Sequence, residues 1–219
     1  MELTKAITER SSVRGYLEKT VSRDVLEQVL ALATRAISGH NYQPWEISVV
    51  TGEKLAELAK ANIESFRSGN LGTGLGDTRE EPYLSRGRVI GRALFSAMQI
   101  GREDKEKRAE WNERGFRFFG APALFVICLD SRIDDKGRWL DIGALVQNIC
   151  LAAKEFGLDT CVEFQATNYP ENVRKVLGIA EDKNPVVGVA IGYKDPEFAA
   201  NSVVSERQPL EEVTTWFGF

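Results

Sequence analysis

The spacing of apolar positions divides the chain into alternating helices and strands. Residues 3–9 pattern as a short helix. Val25, Leu26, Val29, Leu30 and Ala33 recur at helical spacing, and Ser22 stands where an N-cap belongs. Residues 45–51 read as a strand, and Gly52-Glu53 opens a helix to about residue 65. Two further helices are predicted over 82–100 and 103–119, carrying Tyr83, Phe95, Trp111, Phe116, Phe118 and Phe119. The unbroken apolar run at 123–129 predicts a buried central strand. Residues 140–156 are apolar on nearly every face. That predicts a helix buried inside the fold or against a partner chain, with Gly157 at its C-terminal cap. A short strand follows at 160–164, then a helix at 170–177 that starts on Pro170 and stops at Gly178. A second buried strand spans 186–193, and the long tail from Lys194 holds a last short helix near 209–216. Helices alternating with single strands place the chain in the α/β or α+β class.

Composition narrows the function. A chain of 219 residues supports one substantial core or two small domains. Its net charge of −4 gives no general attraction to nucleic acid or to an anionic membrane, so an anionic ligand needs locally placed cations. No run of about 18 apolar residues is present, and the first residues lack an apolar signal region; a cytoplasmic protein is expected. Cys128, Cys150 and Cys161 lie in apolar runs without metal-ligand spacing, which predicts buried, reduced thiols. His40 is the single histidine, which excludes a His-rich metal site, and no metal is expected. The run 68–77 holds four glycines and reads as a mobile loop; without a following Gly-Lys-Ser/Thr it is not a phosphate loop. No Gly-x-Gly-x-x-Gly follows a strand, so NADH and NADPH are not distinguished.

Three segments carry candidate chemistry. Arg10-Ser11-Ser12-Val13-Arg14 offers two guanidinium groups and two hydroxyls, which suits a phosphate; it also fits a solvated basic turn. Ser38-Gly39-His40-Asn41-Tyr42-Gln43-Pro44-Trp45 offers amide donors and acceptors beside a glycine, which suits a flat polar heterocycle. It equally fits an ordinary helix-to-strand loop. Ser205-Glu206-Arg207 delivers a third cation from far along the chain, or simply links to a capped helix.

Taken in order with Phe118-Phe-Gly-Ala-Pro122, Asp141-Ile-Gly-Ala, Gly157-Leu-Asp-Thr-Cys161 and Gly192-Tyr193-Lys-Asp-Pro196, these segments resemble the FMN-dependent nitroreductase superfamily over nearly the full length. The middle part, from Ser85 through Gly120, looks most like the nitrobenzoate-reductase branch. The resemblance implies an α+β fold with a mixed, mainly antiparallel central sheet flanked by helices. It implies one nitroreductase-like domain over 1–219, with 66–120 as a helical and loop excursion over the active site. It also implies an intertwined homodimer with an extended C-terminal arm and FMN at the interface. By position, Arg10, Ser12 and Arg207 would hold the FMN phosphate, with Ser11 beside them. Arg14 would lie near the flavin pyrimidine edge. Ile37, Ser38, Gly39 and Asn41 would reach it from the other subunit, with Gln43 nearby. Backbone of Glu163, Phe164 and Gln165 would face N5. The implied activity is ping-pong transfer from NADH or NADPH to a nitroaromatic, quinone or related small aromatic acceptor, with the flavin itself carrying the chemistry and no catalytic side chain named. Dehalogenation, enoyl reduction, flavin breakdown or non-enzymatic flavin binding are the alternatives on the same scaffold. Ile37 stands where many relatives have Pro, and Ser205 where some have Lys, which removes one phosphate cation. The segment Val162-Glu163-Phe164-Gln165 lacks the glycine that some relatives place there.

Overall fold

The apolar run at 123–129 becomes the strand around which everything else is laid. A computed structural model of the chain describes residues 1–73 and 78–219. In order, the elements are α1 (Leu3–Glu9), α2 (Arg23–Ala33), β1 (Trp45–Thr51), α3 (Gly52–Arg67), α4 (Tyr83–Ala97), α5 (Lys105–Phe116), β2 (Ala123–Asp130), α6 (Lys136–Glu155), β3 (Asp159–Glu163), α7 (Pro170–Leu177), β4 (Lys183–Gly192) and α8 (Leu210–Val213). The sheet order is β1-β2-β4-β3. The expected mainly antiparallel sheet is present. All three strand pairings are antiparallel, and the parallel component is an isolated bridge between Ser12 and Thr160.

The strand β2 sends alternate residues to two cores. Phe125, Ile127 and Leu129 meet α2 and α6 on one face. Leu124, Val126 and Cys128 meet Val13, Tyr16, Leu58, Phe118 and Val173 on the other. Burial on both faces is why the sequence shows no polar alternation there. Pro185 in β4 lacks an N–H, and it falls opposite Cys128 at the bulge where the ladder already skips a residue.

Local signals set most boundaries. The Ser22 hydroxyl accepts from Val25 N at 3.4 Å and starts α2. Pro170 opens α7, and Gly178 closes it in the left-handed region at φ 69°. Helix α6 begins at Lys136, earlier than the apolar pattern predicts, because the Asp135 carboxylate accepts from Gly137 N at 2.7 Å and Arg138 N at 3.1 Å. Helix α5 ends at Phe116, short of the predicted 119. Phe118 and Phe119 turn into the left-handed region, each at φ 54°. All three cysteines are buried and free. Of the glycine-rich run read as a mobile loop, residues 74–77 lie outside the described residues. Its earlier part is tied down: Tyr169 donates to Asn70 O at 2.9 Å, and Thr73 N to Asn168 O at 2.8 Å. No described helix is long and apolar enough to cross a membrane.

Candidate functional site

After α1 the chain straightens. Arg10 is extended, with φ −60° and ψ 123°. Val13 is fully buried and its N–H donates to Thr160 O at 3.0 Å, so the segment lies against the start of β3. Alternation then turns Ser12 and Arg14 to the side opposite Val13. Arg14 is pinned from three directions. Its N–H donates to Asn201 Oδ1 at 2.7 Å, its carbonyl accepts from Arg114 Nε at 3.2 Å, and its guanidinium donates to Ser12 O at 3.3 Å. Asn201 also donates to Gly15 O at 2.7 Å. A Cβ on Gly15 would stand 2.2 Å from the Phe198 ring, so only glycine lets the two segments approach this closely.

Neither Arg10 nor Arg14 enters any ion pair among the described residues. Their positive field falls instead on buried groups of β3 and α6. It opposes the burial that raises the thiols of Cys161 and Cys150. Glu163 ends β3 on the Cys161 face. It is only 4% exposed, and neither carboxylate oxygen has a hydrogen-bond partner among the described residues. Burial pushes its carboxyl well above the usual range, against the pull of Arg14. Burial without a hydrogen-bond partner penalises the ionised carboxylate and favours its protonated form. Phe164 is exposed, and Gln165 donates to Asn112 O at 3.3 Å. Residues 10–14 and 163–165 are thus gathered on β3 and its following turn.

The 37–43 segment is elsewhere. It forms a single 3₁₀ turn, Gly39–Asn41. Gly39 N donates to Asp141 Oδ1 at 3.0 Å, near the start of α6. Asp141 pairs with Arg138 at 3.0 Å, and that guanidinium lies 4.8 Å from the Tyr42 ring centroid. His40, Asn41 and Gln43 all hold positive φ, at 50°, 58° and 47°. Such a cluster of non-glycine left-handed residues persists only where surrounding contacts over-determine it. Ser38 Oγ accepts from Gln43 N at 3.0 Å, and Ile37 is 80% exposed. Asp141, which seats this turn, and Cys150, which feels Arg10, are separated by about 14 Å of helix at about 1.5 Å per residue. Among the described residues no hydrogen bond or ion pair joins residues 37–43 to residues 10–14.

Arg207 also stands apart. Its guanidinium donates to Ser205 Oγ at 2.8 Å and to the Ser205 and Glu206 carbonyls. It lines a groove walled by Arg86, Val89 and Ile90 of α4, not by residues 10–14. Of the aromatic residues named for a pocket wall, Phe116 and Phe118 are core, Tyr83 is exposed, and Phe95 lines a cleft on α4. The supports of the site were not apparent in the sequence. Asn201, Arg114 and Arg138 carry no local signal, and Asp141 stood only as the first residue of a resemblance segment; Asn201 and Arg114 meet Arg14, and Asp141 meets Gly39, from far along the chain.

An antiparallel four-stranded sheet between two helical layers, with a basic segment bridged to its edge strand, defines an α+β scaffold. The Nitroreductase family profile matches residues 7–193, and the chain belongs to that family. It is 33% identical over 216 residues to a nitrobenzene nitroreductase of Ectopseudomonas oleovorans, covering 96% of this chain and 94% of that protein. It is 30% identical to a 4-nitrobenzoate reductase of Pseudomonas putida, covering 97% and 94%. Its fold matches the crystal structure of an FMN and NADPH-dependent nitroreductase, NfnB, from Sphigopyxis sp. strain HMH. The TM-score is 0.94 at 32% identity, over 100% of both chains. The FMN-dependent NfnB from Mycobacterium smegmatis, in complex with NADPH, gives a TM-score of 0.92 at 26% identity, over 98% and 97%.

Proposed function

We propose that this chain is an FMN-dependent NAD(P)H oxidoreductase that reduces nitroaromatics, quinones or related acceptors. The observation that carries the reading is the pair of guanidinium groups outside any ion pair, Arg10 and Arg14, on a segment bridged to β3, the strand that ends on the buried and unpartnered Glu163. That donor set fits a phosphate-bearing heterocycle: cations and hydroxyls for the phosphate, and a fixed positive charge for a polar ring edge. Arg10, Ser11 and Ser12 hold the phosphate, and Arg14 holds the ring edge. Glu163, Phe164 and Gln165 present backbone to the ring. Bound FMN supplies two-electron transfer between NAD(P)H and the acceptor. Asn201 and Arg114 hold Arg14 in place beforehand, so its charge needs no reorganisation during turnover. Donor and acceptor use one place in turn, which makes the kinetics ping-pong.

Two of these chains form the complete site. Ile37, Ser38, Gly39, Asn41 and Gln43 come from the partner subunit; within one chain no hydrogen bond or ion pair among the described residues joins them to Arg10. The tail is built for such a partner. Leu210, Val213, Trp216, Phe217 and Phe219 are exposed, Phe217 by 83%. Arg207 reaches the phosphate only through this arm. Residues 1–219 form one domain, with 66–120 as its excursion over the site. Three free, buried thiols are in keeping with a cytoplasmic setting.

The visible spectrum of the purified protein tests the reading. A two-banded flavin absorption should bleach with NADPH or NADH under anaerobic conditions and return on adding nitrobenzoate. A protein that stays colourless after incubation with FMN would sink the assignment.

A further inference from the structure

Helix α4 and the start of α5 enclose a cleft that the flavin site does not use. Arg88 and Arg92 stand one turn apart and share a face of α4 with Phe95. Arg102 follows α4, and Arg108 sits in the first turn of α5. The four arginines line one cleft of about 890 Å³, whose apolar wall is Phe95 and Ile100. No carboxylate of the described residues lines it. None of the four arginines enters an ion pair among the described residues. Of the acids close by in sequence, Asp104 takes Gly101 N at 2.7 Å and Lys107 at 3.9 Å, Glu113 takes Arg67 and Arg117, and Glu103, Glu106 and Glu110 do not line the cleft. The Arg108 guanidinium is 4.2 Å from the Phe95 ring centroid, which fixes its direction.

Four converging like charges repel one another unless an anion joins them. Gly91 adds a second, independent sign. A glycine inside a helix weakens it, and here a Cβ would meet nothing within 4 Å, so packing gives no reason for it. A side chain at that position would instead enter the cleft that Gly91 lines. The cleft is open, multiply cationic and bordered by a flat ring. It suits a ligand that combines several negative charges with a planar group.

Helix α5 ties this cleft to the flavin site at a defined remove. Arg108 lies about 9 Å along the axis from Arg114, at about 1.5 Å per residue. Arg114 in turn donates to Arg14 O at 3.2 Å. A carboxylate on an aromatic acceptor stands only a ring's width from its reacting group, too near for such a span. The adenosine end of a dinucleotide is separated from its nicotinamide by two phosphates and two sugars. We propose that the Arg88–Arg92–Arg102–Arg108 cleft binds the phosphate-bearing adenosine end of NADPH and selects NADPH over NADH through the 2′-phosphate. This rests on the oxidoreductase reading and names the donor that the sequence left open.

Calorimetric titration of the FMN-loaded protein with 2′,5′-ADP and with 5′-AMP tests it. The first should bind at least tenfold more tightly at low salt, with the advantage shrinking as salt is added. Arg92→Ala combined with Arg108→Ala should erase the advantage. Gly91→Leu, which removes no charge and favours the helix, should weaken both nucleotides by blocking the cleft. The double variant should raise KM for NADPH and leave KM for NADH unmoved, and Gly91→Leu should raise both. Equal affinity for the two nucleotides, an advantage that survives in the double variant, or competition by inorganic phosphate as strong as that of 2′,5′-ADP would overturn the proposal. Bound flavin, read from the spectrum of each sample, separates this failure from that of the function itself. A protein holding FMN and oxidising NADH without nucleotide discrimination keeps the function and loses only the cleft.

Discussion

Arg10 and Glu163 show how one residue's surroundings decide its use. Arg10 is held in extended backbone with its charge unspent, so removing it should cost the ligand a charge-assisted contact and leave the fold intact. For Arg10→Ala the loss of FMN affinity should be on the order of 1.5–3 kcal/mol, tenfold or more in Kd by fluorescence titration. Full flavin retention would move the phosphate away from Arg10. Glu163 carries a pH signature instead. Burial raises its folded pKa, so below the usual carboxylate range both folded and unfolded chains hold its proton and nothing is lost. As pH climbs past that range, the unfolded chain releases the proton and the folded chain retains it, which favours unfolding. Glu163→Gln cannot ionise, so its urea midpoint should rise relative to the parent between pH 4 and pH 8. A midpoint difference that moved the other way would mean an ionised Glu163 paired with Arg14. At this scale the sequence told residue type and no more. Arg10, Ser12 and Arg14 stood out because they are close in sequence, but their residue types fitted a solvated basic turn as well as a phosphate, and only the resemblance gave them separate roles. Asn201 and Arg114, which aim Arg14, did not stand out, because each meets it across most of the fold.

Elements were legible wherever a short-range rule sets their ends. Ser22 marks the start of α2, Pro170 and Gly178 mark both ends of α7, and β1 spans the predicted 45–51. Helix α6 was seen through its apolar middle but not at its start, where Lys136, Gly137 and Arg138 are polar and the Asp135 cap sets the boundary. Asp135→Ala should therefore cost about 1 kcal/mol, a fall of roughly 2–4 °C in Tm by calorimetry. An unchanged Tm would show that packing alone starts this helix. Helix α5 was read too long for a related reason. Phe118 and Phe119 continue the apolar pattern. Yet both take left-handed backbone, and Arg114 secures the turn by donating to Phe119 O at 3.3 Å. No residue preference announces two consecutive left-handed phenylalanines.

The two signature segments illustrate what the whole molecule adds. Residue types left the use of each segment open and the resemblance alone assigned them to different subunits, whereas their spacing along α6 depends on where that helix lies in the fold. If one site takes Arg10 from one protomer and Asn41 from its partner, the enzyme obeys a rule of genetic complementation. A chain crippled by Arg10→Ala and another crippled by Gly39→Val would each fail alone. Expressed together, they would form mixed pairs in which one site joins both sound halves and the other joins both damaged ones. Random pairing would restore about a quarter of the sites. Two broken copies in one cell would then be worth more than twice either, because each protomer lends its neighbour the half it still has.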